Sequence, residues 1–67
     1  MRWFERQRIA WIAEALAVFG YVNRYHLIRK FGVSQAQASM DLQTFQKHHP
    51  GAMAYNKSTK RYEATKT

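Results

Sequence analysis

Residues 31–42, FGVSQAQASMDL, carry the punctuation of two helices joined by a tight turn. Phe31 and Val33 bracket Gly32, which without a Cβ suits the left-handed residue that ends a helix. Ser34 stands where a new helix needs an acceptor for its unpaired amides. Gln37, three residues on, has the spacing of a capping box. Ala38, Leu42 and Phe45 then recur at four-then-three spacing, which stacks them on one side of a helix over residues 35–48. The other side carries Ala36, Met40, Gln43 and Lys47, flanked by Gln37, Ser39 and Thr44, with no acid on its outermost line. His48, His49, Pro50 and Gly51 stop the helix. Such a stretch is either an ordinary helical corner or the reading helix of a nucleic-acid-binding domain, and the rest of the chain decides between them.

Upstream, Asn23 can cap a short helix over residues 24–31. Leu27, Ile28 and Phe31 supply its inner face, while Arg24, Arg29 and Lys30 stay in water. The preceding YVN, residues 21–23, is short and β-prone. A first helix is expected over residues 2–19, with Ile9, Ile12, Leu16 and Phe19 on one face and Gly20 as its C-terminal stop. A second apolar stripe, Phe4, Trp11, Ala15 and Val18, lies beside the first. It is either the flank of a thick core or a dimer or docking surface, because a small monomer rarely leaves such a patch wet. The opening arginines before an apolar run mimic a signal peptide, but Glu5 and Glu14 break the pattern and the apolar residues keep helical spacing. No segment is long enough to cross a bilayer.

Downstream the period changes from helical to alternating. Met53 and Tyr55 alternate with Ala54 and Asn56, and Tyr62 and Ala64 with Arg61 and Glu63. Pairing Asn56 with Arg61 leaves the loop Lys57–Lys60 and puts Met53, Tyr55, Tyr62 and Ala64 on one face. That is a hairpin over residues 52–65 with an apolar underside and a basic tip. The expected architecture is mainly α within an α+β class: a single domain over residues 1–67 with three helices and a C-terminal β-hairpin wing, the winged helix-turn-helix arrangement.

The charge is the informative bulk property. Eleven Lys and Arg against four acids give the 67 residues a net charge of +7, which in so small a domain predicts a polyanionic partner. The chain has no cysteine, which removes disulfides and thiolate metal sites. The acids are too few and scattered for catalysis. His48 and His49 are adjacent at a helix end, so their rings diverge and a basic helix terminus explains them better than a metal site. No enzyme activity, cofactor or metal is expected. Positive charge instead brackets the third helix, from Arg24, Arg29 and Lys30 on one side and Lys57, Lys60 and Arg61 on the other. Flanking phosphate contacts are what hold a reading helix in register. Candidate base-reading residues are Gln35, Gln37, Ser39, Met40 and Gln43. The glutamines can offer bidentate amides to adenine, and Met40 can touch thymine methyls. Candidate phosphate contacts are Arg24, Ser34, Lys47, Lys57, Lys60 and Arg61. Asp41, near the edge of the buried face, is expected to pair with a basic neighbour or an amide.

FGVS followed by QASMDL, a Phe three residues after the Leu, then a Pro, a Tyr and the wing segment YNKSTKRY resembles the winged helix-turn-helix that begins many WYL-domain transcriptional regulators. The likeness is greatest to regulators of phage-defence loci and more distant to the DeoR-type head with its VSxxTIRRDL run. It covers roughly residues 4–64. By position, it places Gln35, Gln37, Ser39 and Met40 on the DNA-facing side and Val33, Ala38 and Leu42 on the buried side. The DeoR-type pattern has arginines where Ser39 and Met40 stand, so here the helix itself supplies little charge. The resemblance implies a cytoplasmic regulator of bacterial or phage origin, a repressor in first expectation. Double-stranded DNA is its expected partner, a homodimer its expected state, and a C-terminal effector region is common in relatives. The main rival is a winged-helix protein–protein interaction module that docks through the first helix. Membrane association is a weaker third reading, since the charge is spread over three elements rather than one helical face.

Overall fold

The computed structural model describes residues 3–65, so the expected first helical residue, Arg2, lies outside the described residues. Helix α1 (Trp3–Phe19) ends where Gly20 takes φ 82° and donates its amide to the Leu16 carbonyl at 3.0 Å. The chain reverses there into a two-residue strand, β1 (Tyr21–Val22). Helix α2 (Arg24–Phe31) follows, closed by Gly32 in the left-handed region. After Val33 and Ser34 comes α3 (Gln35–His48), then the hairpin of β2 (Met53–Asn56) and β3 (Arg61–Ala64).

The hairpin pairs Asn56 with Arg61 and Tyr55 with Tyr62, the register that the alternation predicts. The sequence reading did not foresee that β1 also joins it, antiparallel to β3, in a sheet ordered β1-β3-β2. This third strand ties the wing to the helices, which an isolated hairpin needs for stability. The core draws on every element but β3, whose half-buried Tyr62 packs against it: Ile9, Ile12, Ala15 and Leu16 from α1, Val22 from β1, Leu27 from α2, Ala38, Leu42 and Phe45 from α3, and Met53 from β2.

Three expectations about α1 and its neighbours need correction. Ala15, assigned to the open stripe, is only 2% exposed, because it lies three residues after Ile12 and so shares its face. Trp11, from the same stripe, is half-buried, its ring set edge-on to Phe31 at 5.9 Å with the Lys30 ammonium 5.8 Å from its centroid. Phe19, expected in the core, is 65% exposed, and Val22 fills the core at that end after the reversal at Gly20. Phe4 and Val18 do stand exposed, as does Trp3.

The caps also differ from the expected pattern. Ser34 Oγ accepts the Gln37 amide at 3.1 Å, yet the Gln37 side chain does not return to Ser34 and bonds Asp41 instead. The reciprocal box forms at α2. Asn23 Oδ1 accepts the amides of Tyr25 and His26, while His26 Nδ1 accepts the Asn23 amide at 3.3 Å.

Candidate nucleic-acid interface

Ala38, Asp41, Leu42 and Phe45 bury one side of α3, and their spacing leaves Ala36, Met40, Gln43 and Lys47 as its outermost row. All of that row is exposed, with Met40 58% accessible. On one flank Ser39 is half-buried in a groove of about 280 Å³ shared with Asn23, Arg24, Tyr25, Tyr55, Lys60 and Tyr62. This groove brings the start of α2, the middle of α3 and the wing together. Arg24 and Lys60, far apart in sequence, both line it. On the other flank Gln37, Met40 and Thr44 face the N-terminal part of α1 across a wider groove that also holds Trp3, Phe4 and Arg8.

The wing tip is held by its own side chains. Asn56 Oδ1 accepts the amides of Ser58 and Thr59, and its Nδ2 donates to Glu63 Oε1 at 3.1 Å. Lys60 takes φ 58° and donates its amide to the Asn56 carbonyl at 2.7 Å, closing the loop. Thr65 Oγ1 donates to the Gly51 carbonyl and pins the strand ends. Hydrogen bonds from Asn56 and Arg61 hold the Glu63 carboxyl below its ordinary range.

The candidate site residues are sorted by this geometry. Gln35, Met40 and Gln43 are exposed on α3, and Lys47 continues the same row. Ser34 is occupied as the cap of α3, so its hydroxyl faces its own helix start. Lys57 and Lys60 are exposed on the wing loop and Arg24 on the first turn of α2. Two residues are placed differently from expectation. Gln37, expected on the flank of the outer row with its amide free to read a base, is half-buried on the α1 side and donates to Asp41 Oδ1 at 2.9 Å. Arg61 alternates with Tyr62 and so lies on the other face of the sheet. There its guanidinium bonds Glu63 at 3.2 Å and stacks 4.0 Å from the Tyr21 ring centroid.

Asp41 is paired as expected, and its partners are now named. It is 1% exposed and accepts two bonds from Arg8, at 2.6 and 3.3 Å, besides the one from Gln37. Sequence reasoning missed Tyr25 and Tyr55, which stand 57% and 50% exposed at the groove between α3 and the wing. The only available signal was that each follows or precedes a polar residue at an element start or tip, and alternation assigned Tyr55 to a buried underside. Among the described residues no three His, Cys, Asp or Glu side chains converge to hold a metal, and no helix is long and apolar enough to cross a membrane.

Residues 5–67 match the family described as the BrxR transcriptional regulator winged helix-turn-helix domain. The chain belongs to that family. Two curated relatives, both described as DNA-binding transcriptional repressor CapW, one from Escherichia coli strain KTE188 and one from Escherichia coli, are 37% identical to it over 65 residues. The match covers 97% of this chain but spans only 22% of either relative's length. Membership in the BrxR domain family accords with the likeness to the winged helix of WYL-domain regulators, and it is a family of regulators, not of enzymes. In this BrxR-family domain α3, the wing and the first turn of α2 share one groove, with Arg24, Ser39 and Lys60 among its lining.

Proposed function

We propose that this BrxR-family domain binds double-stranded DNA sequence-specifically, as the DNA-contacting part of a transcriptional repressor. Helix α3 enters the major groove with Gln35, Met40 and Gln43 toward base edges, while Arg24, Lys47, Lys57 and Lys60 grip phosphates. Tyr25 and Tyr55 add hydroxyl contacts to the backbone from the groove beside the wing. The observation that carries this reading is the outer row of α3, exposed and free of acids, with Arg24 and Lys60 lining the groove on its flank. Two copies reading an inverted repeat, in a bacterial or phage cytoplasm, complete the proposal. Asp41, the acid within α3, supports it, since its carboxylate is buried and bonded to Arg8.

Selection of bound sequences from a random duplex pool, followed by gel shifts across a salt series, tests the proposal. An enriched site whose affinity falls steeply with salt is the expected result. Randomised duplexes binding as tightly as any selected one would end the claim of specificity.

A second reading is favoured by one observation, the exposure of Trp3, Phe4, Val18 and Phe19 along α1. In it the domain docks on a protein partner through α1 and its charge serves solubility. A protein with no affinity for DNA even at low salt would favour that reading over the first.

A further inference from the structure

The strongest unexplained feature of α3 is a buried charge facing α1. Asp41 sits in the reading helix at 1% exposure and is clasped by Arg8, whose side chain is 14% exposed. The pair is 33 positions apart in sequence and bonded through both carboxylate oxygens, which fixes rotation as well as distance. Gln37, one turn earlier on α3, completes the arrangement through its amide nitrogen. No buried side-chain polar atom among the described residues lacks a partner, so the network is closed.

We infer that Arg8, Asp41 and Gln37 form a positioning clasp that sets the rotation of α3 about its axis. Through it α1 determines which of the α3 side chains reach base edges, and Gln37 is withdrawn from reading. The inference rests on the DNA-reading proposal above and deepens it. A bidentate guanidinium–carboxylate pair tolerates little rotation, whereas the apolar contacts of Ala38, Leu42 and Phe45 are non-directional and permit small adjustments. A rotation of the helix moves Gln35, Met40 and Gln43 together. Loss of the clasp therefore blurs several base positions at once. Loss of a single reading side chain affects only the base pair it touches.

The same random-pool selection applied to three proteins tests this. Gln37→Met keeps helix length and removes the bond to Asp41. Arg8→Gln with Asp41→Asn replaces the buried ion pair by two neutral amides, so no lone charge is left buried. Thermal unfolding of each is followed alongside. Both variants are expected to remain folded and to keep the wild-type salt slope. The Arg8→Gln/Asp41→Asn protein is expected to lose preference at several adjacent base pairs, with discrimination down about tenfold, the scale of one mismatched pair, while Gln37→Met, which leaves the Arg8–Asp41 pair in place, is expected to keep the wild-type profile. Loss confined to one base pair in Gln37→Met would show that Gln37 reads DNA and would overturn the clasp while leaving the DNA-reading proposal intact. An unchanged preference profile in both variants would also overturn it. If the wild-type chain enriches no sequence, the DNA-reading proposal fails first and the clasp falls with it.

Discussion

Among the described residues Asn23 is the most fully bonded helix cap, and it lines the groove between α3 and the wing. Its carboxamide oxygen satisfies two amides of α2 and its own amide is received by His26 Nδ1. Replacing it by Ala should cost about 1 kcal/mol, read as a lower unfolding midpoint. In a domain that buries only about 60% of its chain surface the loss should be easily measured. Gln43 belongs to a different class of residue. It is exposed and packs on nothing that the fold needs, so Gln43→Ala should leave the unfolding midpoint within about 0.5 kcal/mol of wild type. If it reads a base, discrimination at one position should fall by about 1–3 kcal/mol in competition gel shifts. A uniform loss over all sequences would instead make it a backbone contact.

At the scale of elements, the wing depends on Glu63. Its carboxyl is held low mainly by the Asn56 amide and then by Arg61, so the charged form is favoured in the folded wing. A depressed pKa contributes order that is complete above the unfolded-chain value of ~4.3. That order is lost as pH falls through the lower folded value. Acidification should therefore loosen the Lys57–Lys60 loop before α1 to α3 unfold, seen by NMR as changes in the Ser58 and Thr59 amide chemical shifts at a pH where those of α1 to α3 are unchanged. Glu63→Gln should remove that acid step. A loop equally acid-sensitive in the variant would assign the effect elsewhere.

The hairpin was legible from sequence because alternation and a four-residue basic loop fix a register by themselves. The strand β1 was not, since Tyr21 and Val22 are too few to show a period and need β3 to define them. The helix-turn-helix was legible for the same reason as the hairpin: Gly32 and Ser34 act locally. Gln37 was not. The capping-box spacing is local, but the competing partner Asp41 is buried by Arg8 from another helix, which no local pattern reveals. Ala15 likewise fits either stripe of α1 until the other elements pack on it.

For the whole molecule, the net charge of +7 overstates what DNA would meet. Arg8 is spent on Asp41 inside the fold, and Arg61 lies on the far face of the sheet against Glu63 and Tyr21. The cations facing the proposed interface are Arg24, Lys47, Lys57 and Lys60, all exposed. Each neutralised phosphate contributes about −0.9 to the slope of log affinity against log salt, so one domain should give a slope near −3.6. Two copies on an inverted repeat should give roughly −7. The slope thus reports the number of domains bound, and light scattering of the free protein reports whether they associate beforehand. Phe4→Glu, placed on the exposed start of α1, should halve the slope if α1 forms the contact between copies. Lys60→Ala should lower it by about 1 per bound domain. Arg61→Gln should leave it unchanged, because that guanidinium is already paired on the face turned away from α3. A slope that fell with Arg61→Gln as much as with Lys60→Ala would mean that DNA meets the other face of the sheet, and the assignment of α3 as the reading helix would have to be abandoned.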